Sequence, residues 1–261
     1  MPDLRKQFHE QLAEVRDANV QLGALVTESL PRATEALLAG DLGAAQELID
    51  GDDAIDTLAL SVEDQCYQLL ALQQPMAGDL RAIVTAIRMT SEIERSGDLV
   101  VNIMKGSRRI YGTTIDPRLR GLIERMSDQA NRLFRLAIDA YVDGDANLAA
   151  ALDDMDDRLD QLHKDYIQAI FESHAEGSDL DLQAAVQLAL IGRYYERIGD
   201  HAVNIGERVR YMVTGWLPEH TGALREQARK TGSDGDGGTD AGTGGARADV
   251  ASNGGAPADD A

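Results

Sequence analysis

A ten-residue phrase occurs twice in this chain, and both copies lie in sequence that must be helical. Glu94-Arg95-Ser96-Gly97-Asp98-Leu99-Val100-Val101-Asn102-Ile103 returns as Glu196-Arg197-Ile198-Gly199-Asp200-His201-Ala202-Val203-Asn204-Ile205, 102 residues later and with seven of ten positions identical. On a helix the Glu, Asp and Asn of each copy fall at i, i+4 and i+8 and form one polar stripe. Apolar residues surround that stripe, where a helix normally buries a face. A fold that accepts this phrase must be helical and built twice.

The flanking sequence extends the duplication. Asp52-Asp53-Ala54-Ile55-Asp56 corresponds to Asp156-Asp157-Arg158-Leu159-Asp160 at an offset of 104, so the two halves differ by two residues of loop. Gly40-Asp41 recurs as Gly144-Asp145, each pair reading as the C-cap of one helix and the N-cap of the next. The apolar spacing predicts helices over 4–39, from Asp41 to about Gln73, and from a cap at Asp79 through Ile103. Pro31 is expected to kink the first. A connector, 106–117, precedes helices from Arg118 to Val142, from Asp145 to about Ser173, and from Leu180 to Met212. No stretch alternates with period two, so strands are not expected.

The predicted fold is all-α: two pseudo-symmetric three-helix bundles from an internal duplication, spanning 1–112 and 113–220. Aromatics make up only 4% of the chain, so the core must be mostly Leu, Ile, Val and Ala. The stretch 221–261, rich in Gly, Ala and Asp, reads as a disordered acidic tail.

Charge and cysteine narrow the function classes. A net charge of −20 opposes binding to nucleic acid or anionic lipid and favours cations or basic protein surfaces. Cys66 is the single cysteine, so no intramolecular disulfide forms and a reducing compartment is expected. The N-terminal residues lack a signal-peptide core and no apolar run suits membrane insertion, so a soluble, cytoplasmic protein is expected. Cys66 is expected to pack as a small hydrophobe, Trp216 to seal a bundle end, and His163 and His201 to be surface or packed residues.

Four acid-x-x-x-acid pairs stand out: Asp52/Asp56, Glu94/Asp98, Asp156/Asp160 and Glu196/Asp200. Like charges at this spacing cost a helix ~0.2–0.5 kcal/mol in water, and more beside an apolar seam. Gly97 and Gly199 add a further ~1 kcal/mol each relative to alanine at mid-helix. A solvated face is the ordinary reading of one such pair. A solvated face gives no reason for the same phrase to appear in two helices. Either Arg95 and Arg197 pair with the acids, or adjacent helices assemble an oxygen-rich metal site. All-carboxylate ligation admits iron, zinc, manganese or magnesium. Neither half holds the Glu-x-x-His pair of ferritin-like di-iron proteins, nor a phosphate-cradling glycine loop or nucleophile elbow.

The paired Glu-Arg-x-Gly-Asp phrases, each preceded by an Asp-x-x-x-Asp helix, resemble the PhoU family of phosphate-transport accessory proteins. The segment Gln74-Pro75-Met76-Ala77-Gly78-Asp79-Leu80-Arg81 is similar to the one that opens that family's third helix. The resemblance covers about residues 5–215 and implies metal clusters in which iron or zinc precedes manganese or magnesium. Asp52, Asp56, Glu94 and Asp98 would be the ligands in one half, and Asp156, Asp160, Glu196 and Asp200 in the other. It further implies a non-enzymatic negative regulator of phosphate uptake and starvation signalling. The implied partners are the phosphate ABC-importer ATPase and the phosphate sensor histidine kinase, and the implied state is a homodimer. The chain departs from the family at Gln73, where arginine is frequent, and at Ala59, where some members carry glutamate. The rival readings are a carboxylate-ligated metal storage protein or redox enzyme, and a structural bundle whose acids pair only with Arg95 and Arg197.

Overall fold

The computed structural model describes residues 2–175 and 181–216. The expected acidic tail, and part of the loop before the last helix, lie outside them. Among the described residues seven helices follow one another: α1 Pro2–Ala39, α2 Leu42–Asp50, α3 Asp52–Gln73, α4 Gly78–Arg109, α5 Pro117–Asp143, α6 Ala146–Ala175 and α7 Leu182–Thr214. Among the described residues there is no strand, and no helix is long and apolar enough to cross a membrane.

The matched breaks take the same form in both halves. Gly40 (φ 66°) and Gly144 (φ 61°) adopt the left-handed conformation that ends a helix at low cost for glycine. Asp41 N–H then donates to Ala36 O at 2.9 Å, and Asp145 N–H to Ala140 O at 2.9 Å, closing the last turn identically. Asp41 Oδ1 accepts from Gly43 and Ala44 N–H, and Asp145 Oδ1 from Asn147 and Leu148 N–H, so each aspartate also starts the next helix. Asp116 and Asp181 cap α5 and α7 in the same way, accepting from Arg118 and Ala184 N–H at 2.7 Å.

Three boundaries differ from expectation. The second predicted helix is divided at Gly51, which keeps helical angles (φ −73°, ψ −13°) while α3 begins anew at Asp52 without a side-chain cap. Asp79 lies inside the first turn of α4 instead of capping it, because Ala77 takes the cap position at φ 48°. The connector shrinks to a few residues, since α4 continues to Arg109 and buries Gly106 against Ile191. Helix α1 runs on past Pro31.

The two bundles meet along α4 and α7, which lie antiparallel. Arg81 Nε donates to Met212 O and Thr85 Oγ1 to Arg208 O, both at 3.2 Å, and Gly106 faces Ile191 at the other end. The buried residues form one continuous core of mostly aliphatic side chains, including Leu22, Leu30, Ile83, Ile93, Ile123 and Leu133. Tyr195 reaches across it to Thr34 of α1, whose hydroxyl also meets Ser127 of α5 at 2.7 Å. Cys66 is fully buried, and burial raises its thiol to about 12, so it packs as a hydrophobe. Trp216 stays 46% exposed beneath the Arg210 guanidinium, 5.5 Å from the ring centre, and does not seal the bundle end.

Because the Asp145 carboxylate satisfies two otherwise open N–H groups, Asp145→Ala should lower unfolding stability by about 1 kcal/mol. Urea denaturation is expected to show a lower midpoint with an unchanged slope; an unchanged midpoint would mean that the cap is dispensable.

Candidate functional site

Each half folds its acid-bearing helices into an antiparallel pair, α3 with α4 and α6 with α7, and the glycine of the repeated phrase sits where they close. A side chain placed at Gly199 would clash with Asp156 Oδ1 and meet Leu159 Cδ2 at 2.5 Å. At Gly97 the same construction meets Ile55 Cδ1 at 3.2 Å and Asp52 Oδ1 at 3.6 Å. At Gly199 the neighbouring helix, with its aspartate, fills the space a Cβ would need; at Gly97 the crowding comes from Ile55, with Asp52 at ordinary contact distance. The α6–α7 seam is the tighter of the two.

Asp52, Asp56, Glu94 and Asp98 of the first half lie close enough to act on one another, as do Asp156, Asp160 and Asp200 of the second, where Glu196 is linked to Asp200 through Arg193. Burial pushes Asp52 up to about 6, aided by the neighbouring charges of Asp56 and Asp98. Glu94 rises for the same reasons, burial first and then Asp98 and Asp56. In the second half burial takes Asp156 to about 7, with Asp160 and Asp200 reinforcing it. Burial also raises Asp200, against a partial offset from Arg193. The acids of each half thus feel one another across the seam.

Their settings differ. Asp52 lies in the first turn of α3, where open N–H groups favour its negative charge, whereas Asp156 lies well inside α6. Glu196 is only 8% exposed while Asp56 and Asp98 are exposed. Asp156 Oδ1 and Glu196 Oε2 are buried without a hydrogen-bond partner, which is costly unless a cation or donor faces them. An open cavity of about 300 Å³ lies beside the first cluster, lined by Asp56, Glu63, Ser91 and Glu94 among others.

The donor set is all oxygen, which suits a hard or borderline divalent ion. Among the described residues, no three His, Cys, Asp or Glu side chains converge on a single point as they stand. Ligation would therefore require some of the carboxylates to rotate about their side-chain bonds.

Two expectations are corrected. Arg95 and Arg197 point to solvent, and among the described residues no ion pair joins them to Asp98 or Asp200. The arginine that does engage is Arg193, which donates to Glu196 Oε1 and brings Nη2 to 3.9 Å from Asp200 Oδ2. Its spacing of three residues to Glu196 and seven to Asp200 puts all three on one helical face, a signal present in the sequence. Nor does the polar stripe run straight. Each step of four residues drifts about 40° around a helix of 3.6 residues per turn. Asn204 has therefore turned away from its acids to donate to Glu92 Oε2 of α4 at 3.2 Å.

That carboxylate also meets His201 Nδ1 at 2.6 Å, so His201 is a packed residue at the junction of the halves. Burial would raise Glu92, yet the His201 and Asn204 hydrogen bonds outweigh it and hold its carboxyl below the ordinary range. His163 is half-buried on α6 with its Nε2 lacking a partner; burial and then Arg193 hold it below the ordinary histidine value.

A duplicated helical protein with an acidic cluster at a glycine-closed seam in each half is the class defined by these features. The family model described as PhoU domain matches residues 20–106 and 123–209. The chain belongs to the PhoU family. It is 36% identical over 216 residues to the phosphate-specific transport system accessory protein PhoU homolog 1 of Mycobacterium tuberculosis H37Rv, covering 82% of this chain and 96% of that one. A PhoU homolog from Pseudomonas putida is 30% identical over 230 residues, covering 88% and 90%. Among solved structures, PhoU from Pseudomonas aeruginosa superposes with a TM-score of 0.75 at 29% identity, covering 80% of this chain and 100% of that one. The phosphate transport system regulatory protein PhoU from Streptococcus pneumoniae gives 0.74 at 27%, covering 80% and 98%.

A carboxyl whose folded pKa lies above its unfolded one holds its proton in the native state. Its contribution to stability is present below the unfolded value and is lost as pH rises through the folded one. For Asp52 and Asp156 that window runs from the ordinary 3.8 to about 6 and about 7 respectively. With EDTA present, the urea midpoint is expected to fall as pH rises across it, and Asp156→Asn to flatten the upper part. A midpoint that climbs through the window would contradict the assignment.

Proposed function

We propose that this chain is a non-catalytic, metal-binding regulator that restrains phosphate uptake and phosphate-starvation signalling when phosphate is plentiful. It acts as a homodimer that docks on the phosphate importer's ATPase and on the phosphate sensor histidine kinase. The observation that carries the reading is the acid-and-glycine seam, repeated at matched positions of both halves. Stability alone does not account for it, since like charges gathered at a buried seam oppose folding. A bound divalent cation would neutralise them, with Asp52, Asp56, Glu94 and Asp98 as ligands in one half and Asp156, Asp160, Glu196 and Asp200 in the other. The accessory and regulatory names of the relatives support a role in control over one in catalysis.

Two measurements test this. A strain lacking the chain should take up phosphate and induce starvation genes in phosphate-rich medium; behaviour like the parent's would refute the regulatory role. Affinity capture from phosphate-replete cells should recover the ATPase or the kinase. On the same preparation, elemental analysis is expected to find metal that is much reduced in the Asp98→Ala, Asp200→Ala double variant while helicity survives. Full metal content in that variant would remove both residues from the ligand set. Turnover of bound iron with oxygen would instead favour the storage or redox reading.

A further inference from the structure

We propose that Arg193 is an internal counter-cation that makes the two acidic clusters unequal. The α3–α4 cluster takes a divalent cation once its carboxylates rotate into place, with no counter-cation to displace, whereas the α6–α7 cluster takes one only by displacing this arginine. The inference rests on the cation-binding reading above and adds to it a ranking of the two sites and the residue responsible.

The repeat offset of 102 aligns Arg193 with Ser91. On α7 the guanidinium donates to Glu196 Oε1 and lies 3.9 Å from Asp200 Oδ2, so one group bridges both acids of the repeated phrase. The Glu196 side chain is 10% exposed and that of Arg193 49%, so the carboxylate end of this charge-assisted contact is shielded while the guanidinium stays within reach of water. On α4 the corresponding Ser91 is uncharged and short, and it borders the open cavity beside Asp56 and Glu94. Among the described residues neither Glu94 nor Asp98 has an ion-pair partner. Arg95 and Lys105 act on that cluster only at a distance.

The second seam is also the tighter: a Cβ on Gly199 would clash with Asp156 Oδ1, whereas Asp52 Oδ1 stands at an ordinary contact distance of 3.6 Å from one on Gly97. The second cluster still has a reason to take an ion, because Asp156 Oδ1 and the nine-tenths-buried Glu196 Oε2 remain unpartnered with Arg193 in place. A single positive charge does not compensate four acids. A divalent ion compensates more of them, at the expense of the arginine contact.

The test is calorimetric titration of the full-length, chelator-stripped protein with Mn²⁺. Two classes of site are expected, the tighter by about tenfold or more, the factor that one lost charge-assisted hydrogen bond represents. Glu94→Gln with Asp98→Asn should abolish the tight class, and Glu196→Gln with Asp200→Asn the weak one. Arg193→Ser, which copies the first half, should strengthen the weak class by about tenfold. Ser91→Arg, which copies the second half at a half-exposed position, should weaken the tight class and guards against misfolding of the first variant. Affinities unchanged in both single variants, with normal circular dichroism, would overturn the proposal, as would a tight class that disappears with Glu196 and Asp200. An absence of Mn²⁺ binding in the parent and in Arg193→Ser would refute the cation reading itself.

Discussion

Carboxylates held where two helices close on each other are the constraint on which the other features of this protein depend. Asp156 and Glu196 each bury an oxygen without a partner, and Asp52 and Asp156 are pushed toward neutrality by burial and by the neighbouring acids of their own halves. Such a seam forms only if something else holds the helices together. The aliphatic core beneath it does so, together with glycines at 97 and 199 that let a neighbouring helix approach. The core stabilises the bundle, and the seam uses that stability to keep charge out of water.

Duplication gives the protein two such seams, and their divergence is as informative as their likeness. The caps at Asp41 and Asp145 are equivalent down to the carbonyl accepting each backbone N–H. The acids occupy matched positions, yet Asp52 opens a helix while Asp156 lies inside one. Ser91 leaves the first cluster beside an open cavity, while Arg193 bridges two acids of the second. At the junction of the halves the Glu92, His201 and Asn204 contacts join α4 to α7. Here Asn204 serves a use that symmetry does not impose on Asn102. A repeated backbone thus holds two chemically distinct sites.

What could be read along the chain was whatever depends on local spacing. Helical period, the Gly-Asp breaks and the offsets of 102 and 104 gave the element order and the eight acids, because each feature is set by residues within a turn or two of one another. Gly51 and Asp79 were harder. One is a helical glycine at which the chain restarts, and the other lost its cap position to the left-handed Ala77. In both cases local alternatives lie close in energy, and packing decides between them.

Sequence by itself determined that this chain is a duplicated helical protein with paired acids, since the 3.6-residue period and the repeated phrase admit no other arrangement. Only the tertiary structure decided which basic group faces those acids. Arg193 and Arg197 lie three residues before Glu196 and Asp200 respectively, and helix geometry alone admits either pairing. The packing of α6 against α7 buries Glu196 and sets Arg193, itself half exposed, near His163 of α6, while Arg197 lies in solvent. The same is true of Glu92, whose partners are more than a hundred residues away and become neighbours only when α4 and α7 lie side by side. A contact between distant segments leaves no local period behind, so it can be found only once the helices are packed.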